Sequence, residues 1–187
     1  MKIEHAQLLY EGWGKYLLLH LLEDDGQKRT YAVDDHGDAA CVLPYNPTTK
    51  SAIILAQWRV PLFYLGAREC RILEAPAGRL EDADPELCAQ REAMEEAGVL
   101  LPKLENIGCF WSMPGCSTER LWLYLAPIGA CDRISDGGGL ADENEDIEVL
   151  EIPLKELAQL ADTANLPDLK TFAALQTLRL RRPDLFT

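Results

Sequence analysis

Glu92, Glu95 and Glu96 crowd three carboxylates into one short stretch of the segment spanning residues 78–99, GRLEDADPELCAQREAMEEAGV. The spacing predicts a helix over 85–97. Asp84 suits its N-cap, Pro85 its first turn and Gly98 its termination. On that helix Glu92 and Glu96 are four apart and share a face, with Glu95 beside them. Carboxylates this close repel when ionised, so something must offset their charge. A hard cation such as magnesium takes oxygen ligands, binding through one or two carboxylates plus substrate phosphates. A solvated acidic face with Arg91 as partner is the other reading.

The elements that would carry this helix read as follows. Residues 16–22 and 28–33 are strand-like and meet at Asp24-Asp25-Gly26, a hairpin signal. Residues 40–44 and 52–58 form a second pair through Asn46-Pro47, and 71–75 a short strand before Pro76-Ala77-Gly78. Strands are expected at 107–111, 121–126 and 147–152, and closing helices at 154–162 and 169–181. Strands dominate without regular βαβ alternation, which predicts an α+β fold. The break Asp34-Asp35-His36-Gly37 divides an N-terminal β sub-domain, 1–36, from a main domain, 37–187.

The 187 residues suit about one domain. Acidic residues number 31 against 18 Lys and Arg, a net charge of −13 that repels phosphate backbones and argues against a nucleic-acid partner. No apolar run approaches the ~20 residues of a membrane span. Residues 1–20 lack the pattern of a secretion signal. The six cysteines then read as reduced residues of a cytoplasmic protein, most of them small core hydrophobes. Neither their spacing nor the three histidines suit zinc. Trp58, Trp111 and Trp122 could stack on a base, but read first as core. His36 shows no partner and reads as structural.

The 78–99 segment resembles the Nudix box, whose pattern is Gly, five residues, Glu, seven residues, then Arg-Glu-U-x-Glu-Glu-x-Gly-U with U aliphatic. Arg91, Glu92, Ala93, Glu95, Glu96, Gly98 and Val99 fit its second half, and Gly78 its start. The span from Gly78 to Glu92 is one residue short, and the first Glu is replaced by Asp84 or lost. Outside the box, Gln57-Trp58-Arg59, Leu73-Glu74-Ala75-Pro76-Ala77-Gly78, the segment 112–120 and the acidic run 138–148 are similar to elements of the ADP-ribose and nucleotide-sugar pyrophosphatase branch. The short box resembles its GDP-mannose type, the run Ala-Asp-Glu-Asn-Glu-Asp its ADP-ribose type.

This resemblance implies a Nudix fold, a mixed sheet sandwiched between helices, assembled as a homodimer through the N-terminal strands. It implies magnesium-dependent hydrolysis, with manganese able to substitute, of the pyrophosphate in a nucleoside diphosphate sugar such as ADP-ribose. Glu92, Glu96 and the Ala77 carbonyl would hold metal, and Glu95, counted with both the catalytic and the metal residues, would bind a further metal or support the others. Arg91 would tie the helix to the loop. Glu143, with Glu145 as runner-up, would be the general base. Arg59 would meet substrate phosphate unless it pairs with Glu74, and Glu119 the sugar hydroxyls. A domain that only senses nucleotides would be expected to lose box carboxylates, and all three are kept here.

Overall fold

Strands β1 (Lys2–Glu11), β2 (Lys15–Leu22) and β3 (Lys28–Asp35) form an antiparallel sheet in that order. The computed structural model describes residues 1–81, 84–139 and 146–187. The β2–β3 hairpin closes through Glu23, whose amide donates to the Gln27 carbonyl at 2.8 Å, with Gly26 at φ +84° where a side chain would strain the turn. Strand β1 is an addition to the expected hairpin. None of its residues is buried, so it carries no in-and-out alternation by which the sequence could reveal it.

The larger sheet runs β10-β5-β4-β9-β8, with β6 paired to β5 and β7 to β4. Its strands are β4 (Ala39–Asn46), β5 (Ser51–Trp58), β6 (Arg71–Glu74), β7 (Ala77–Arg79), β8 (Glu105–Trp111), β9 (Arg120–Pro127) and β10 (Ile147–Pro153). The helices are α1 (Val60–Tyr64), α2 (Pro85–Ala97), α3 (Leu154–Asp162) and α4 (Leu169–Arg181), followed by a 3₁₀ turn at Pro183–Phe186. The chain divides into two compact units, one of residues 1–39 with 109–121, the other of 40–108 with 122–187. Among the described residues no helix is long and apolar enough to cross a membrane.

Every residue of β4 is buried, and all of β5 but Trp58, which requires cover on both faces. Side chains alternate along a strand, so Ala40 and Val42 face one way and Cys41 the other. Ala40, Val42, Ile53 and Leu55 share a core with Cys88, Ala89, Ala93 and Ala97 of α2. Cys41 instead lies within electrostatic reach of Lys170 and Asp168, at the start of α4. The sheet is therefore held between α2 and α4. The ridge Ala89-Ala93-Ala97 lets α2 sit close to the strands, which is why the small Ala93 is tolerated in its box position.

Two expectations change. Trp122 packs against the core, but Trp58 and Trp111 are exposed, each lying at the end of its strand. Of the six free cysteines only Cys41, Cys70 and Cys88 are buried, while Cys109, Cys116 and Cys131 are exposed. The core implies a stability contrast. Leu55→Ala, at a fully buried β5 position, should cost about 2–5 kcal/mol, whereas Leu180→Ala, 84% exposed on α4, should change stability by less than ~0.5 kcal/mol. Urea denaturation of the two variants measures the difference.

Candidate active site

Helix α2 starts as its sequence requires. The Asp84 side chain accepts from the amides of Glu86 and Leu87, at 2.9 and 3.4 Å. The acidic residue nearest the missing first box Glu is therefore used as a cap. At the other end Gly98 adopts φ +68° and its amide returns to the Met94 carbonyl. Next to the alanine ridge runs a second row, Cys88, Glu92 and Glu96, and all three are buried. Burial and the helix register thus force two carboxylates into one narrow space.

The lead-in to the box completes that space. A Cβ on Gly78 would stand 1.9 Å from Glu92 Oε1, so a side chain here would displace this carboxylate from its place against the strand. The Ala77 amide donates to Glu96 Oε2 at 2.9 Å. Arg91 joins the pieces: Nη2 is 2.7 Å from Glu92 Oε1, Nη1 is 3.0 Å from Glu95 Oε2, and Nη2 also donates to the Arg79 carbonyl at 3.2 Å. Cys88 sits under the same loop, its Sγ 3.3 Å from the Arg79 carbonyl. Burial, with the Glu92 charge beside it, pushes this thiol up to about 11, so it remains protonated at neutral pH.

Among the described residues no three His, Cys, Asp or Glu side chains stand together as a ready ligand group. The carboxylates are instead satisfied by Arg91 and the Ala77 amide. The donor set nevertheless fits a hard divalent cation. It consists of oxygen atoms only, Glu92 and Glu96 are buried, and the missing Cβ of Gly78 opens the cradle around Glu92.

The C-terminal end of α2 supports a second feature. Its last carbonyls lack helical partners. Gly138 N donates to the Glu96 carbonyl at 2.8 Å and Gly139 N to the Glu95 carbonyl at 3.1 Å. The stem of the acidic run is thereby bonded to the backbone of two box glutamates. On the far side of that run, Arg71 Nη2 meets Asp146 Oδ2 at 2.5 Å and Arg71 Nη1 donates to the Ala56 carbonyl at 2.9 Å. Glu143 and Glu145 lie outside the described residues.

Arg59 follows β5 and forms a two-pronged pair with Glu74, Nε to Oε1 at 2.6 Å and Nη2 to Oε2 at 2.8 Å. Burial by itself would raise the Glu74 carboxyl, but the Arg59 hydrogen bonds and the Lys170 charge outweigh it and hold Glu74 below the usual carboxylate range. The Arg59 guanidinium also feels the charge of Glu96, which places it in the electrostatic neighbourhood of the box.

Glu119 belongs to the other unit. Its Oε1 lies 3.3 Å from His36 Nε2, while His36 Nδ1 is 2.9 Å from Asp34 Oδ2 and the His36 ring stacks on Trp13 at 5.0 Å. His36 is thus well partnered, contrary to expectation. Glu119 is too far away in sequence, and Trp13 on the wrong side of the hairpin, for spacing to show it. That unit also holds a cleft of about 340 Å³ lined by Tyr10, Trp13, Gly14, Lys15, Tyr16 and Asp34. The three-residue spacing of its aromatics, Tyr10, Trp13 and Tyr16, is the local signal of this cleft in the sequence.

The glycine stem yields a direct test. A Cβ at Gly137 would lie 2.5 Å from the Glu96 carbonyl oxygen and 2.7 Å from the Ala97 carbonyl carbon, at φ +69°. Gly137→Ala should therefore cost about 1–3 kcal/mol or more. Gly26→Ala, at φ +84° with nothing within 4 Å, should cost only ~1–2 kcal/mol of backbone strain. Thermal unfolding of both variants gives the comparison.

A family model described as the NUDIX domain matches residues 35–175. The chain is similar to the GDP-mannose pyrophosphatase of Cronobacter sakazakii, 36% identical over 163 residues, 86% of this chain and 84% of that protein. It is similar to the GDP-mannose pyrophosphatase of Pectobacterium atrosepticum, 38% identical over 149 residues, 80% of this chain and 76% of that one. The crystal structure of an ADP compounds hydrolase superposes with a TM-score of 0.77, covering 98% of this chain and 94% of its own, at 16% identity. That likeness is one of fold, and it bears out the expected α+β Nudix architecture. With a family match across most of the chain and two relatives more than a third identical over the stretches they align, the chain belongs to the NUDIX family and is a pyrophosphohydrolase of that family.

Proposed function

We propose that the protein hydrolyses the pyrophosphate of a nucleoside diphosphate sugar, with magnesium bound at the box and manganese able to replace it. The products are a nucleoside monophosphate and a sugar phosphate. The observation that carries this reading is the pair of buried carboxylates, Glu92 and Glu96, packed against Gly78 and Ala77. GDP-mannose ranks first as substrate, supported by the relatives' names and by the shortened box. ADP-ribose ranks second, supported by the run Ala-Asp-Glu-Asn-Glu-Asp at 141–146.

Glu92, Glu96 and the Ala77 carbonyl would hold the metal, with Glu95 assisting. When bound, the metal neutralises phosphate charge and lowers the pKa of attached water. The remaining chemistry belongs to the chain. Arg59 meets a substrate phosphate through the part of its guanidinium not engaged with Glu74. Among the described residues Nη1 makes no hydrogen bond, and the side chain is 40% exposed. Glu143 accepts the proton of the attacking water, with Glu145 as the second choice. The new bond joins that water oxygen to one phosphorus. The bridging P–O bond breaks, and the bridging oxygen leaves on the other phosphate. Glu119, oriented by His36, receives sugar hydroxyls. Arg91 keeps the loop on the helix and does not touch substrate.

We also infer a cytoplasmic homodimer built on the N-terminal sheet. In one chain that sheet exposes Ile3, Leu8, Leu9, Tyr10, Tyr16 and Tyr31, apolar side chains that a second copy would cover. Light scattering at micromolar concentration should give twice the chain mass, and a fully active monomer would overturn this.

The activity is tested with a panel of GDP-mannose, ADP-ribose, ADP-glucose and UDP-glucose, using phosphate release by a coupled phosphatase. At least one should turn over only with a divalent cation, and magnesium or manganese should restore activity after chelation. Glu96→Gln should weaken metal binding as well as turnover, whereas Glu143→Gln should lower kcat by roughly 10²–10⁴-fold with little change in KM. Full turnover in excess chelator would remove the mechanism.

A further inference from the structure

Helix α4 begins beside the lead-in to the box, and its N-cap Asp168 and the following Lys170 are charged and largely covered. Lys170 Nζ contacts Glu74 Oε2 and lies 2.9 Å from Asp168 Oδ1. The side chains of Lys170, Asp168 and Glu74 are 17%, 14% and 4% exposed. Glu74 in turn grips Arg59, whose side chain is 40% exposed. Four charges therefore alternate in sign in the order Asp168, Lys170, Glu74 and Arg59, with Glu74 the most buried and Arg59 reaching solvent.

Helix capping anchors the Asp168 end. Asp168 Oδ2 accepts from the Thr171 amide at 3.0 Å and from the Thr171 hydroxyl at 2.5 Å. The Thr171 hydroxyl oxygen accepts from the Ala75 amide at 2.7 Å. The Pro76 carbonyl accepts from Val42 N, and Ala77 N donates to Glu96. Three consecutive residues of the lead-in are thus tied, to α4, to β4 and to α2. The same groups meet around Cys41, a buried thiol that feels the charges of Lys170, Asp168, Glu96 and Glu74 together. The charge line and the box carboxylates consequently share one neighbourhood.

The two cations balance the two carboxylates, so charge alone does not require Lys170 to touch Glu74 as well as Asp168. Ion pairs in the interior carry a desolvation cost that apolar residues of similar volume avoid. What Lys170 adds is direction. By occupying Glu74 Oε2 from the side of α4, it fixes the rotamer of a carboxylate that would otherwise follow the half-exposed guanidinium.

The geometry points to Lys170 as a positioning residue: acting through Glu74, it sets the orientation in which Arg59 presents its remaining edge to a substrate phosphate. The inference rests on the role given to Arg59 above and extends it to a residue more than a hundred positions away, on a helix with no box motif.

Steady-state kinetics test it, with magnesium saturating and with the panel sugar that turns over fastest as substrate. The variants are Lys170→Met, Lys170→Arg, Arg59→Ala and the double variant Arg59→Ala/Lys170→Met, each with its thermal midpoint. Lys170→Met should raise KM about tenfold, the worth of one charge-assisted hydrogen bond, and change kcat by less than about threefold. Lys170→Arg should recover most of the loss, and the double variant should be no worse than Arg59→Ala alone. If Arg59→Ala raises KM while Lys170→Met only lowers the thermal midpoint, Lys170 is structural and the inference is wrong. If Arg59→Ala itself leaves KM unchanged, the reading of Arg59 falls and takes this inference with it. Should Lys170→Met fail to fold, Lys170→Gln keeps a polar end in the same place; the same rise in KM supports the assignment and an unchanged KM overturns it.

Discussion

Negative charge at the wrong end of a helix is the constraint around which this protein is arranged. Glu92, Glu95 and Glu96 lie in the C-terminal half of α2, two of them in its last turn, with no basic residue in that turn. The helix dipole disfavours anions there, and the three side chains also repel one another. Two of them are buried besides, which removes the water that would screen them. A helix so loaded persists only if its surroundings return the lost stabilisation.

The surroundings return it in three ways. Arg91, on the same helix, spans Glu92 and Glu95 and reaches the Arg79 carbonyl. The Ala77 amide supplies a hydrogen bond to Glu96. The glycine stem satisfies the carbonyls at which the dipole ends. Each device also does something for a phosphate-cleaving site. Arg91 holds the Arg79 carbonyl of the loop against the helix, the Ala77 amide ties the lead-in to Glu96, and the stem anchors Gly138 and Gly139 at the C-terminal end of α2. Compensation and function coincide because both require positive charge and N–H donors at that end.

Packing sets how near these parts come. The alanine ridge on α2 lowers the helix onto β4 and β5, and the adjacent row of Cys88, Glu92 and Glu96 is carried down with it. Gly78 then meets the Glu92 carboxylate so closely that a side chain at 78 would displace it. On the opposite face of the sheet, α4 sends buried charge through Glu74 to Arg59. The sheet between α2 and α4 thus has a box helix on one side and, on the other, the support of the arginine expected to meet phosphate.

Local signals were legible in the sequence wherever one element states its own geometry. Helix α2 runs from Pro85 to Ala97 as the Asp84 cap, Pro85 and Gly98 require, and α3 and α4 carry apolar residues at helical spacing. The carboxylate triplet and the likeness to the Nudix box followed from residue types at fixed offsets. Strand β1 stayed hidden because no side chain of it is buried, and the exposure of Trp58 and Trp111 because composition cannot tell a strand's end from its middle. Partnerships across long separations had no local signature at all. His36 with Glu119, Thr171 with Ala75 and Lys170 with Glu74 join residues more than eighty positions apart. The sequence by itself determined which groups could do the chemistry, since helical offsets and glycine positions are short-range facts. Only the tertiary structure decided which charges are buried and what answers each one, because burial and pairing depend on the chain returning past the same point from a distance.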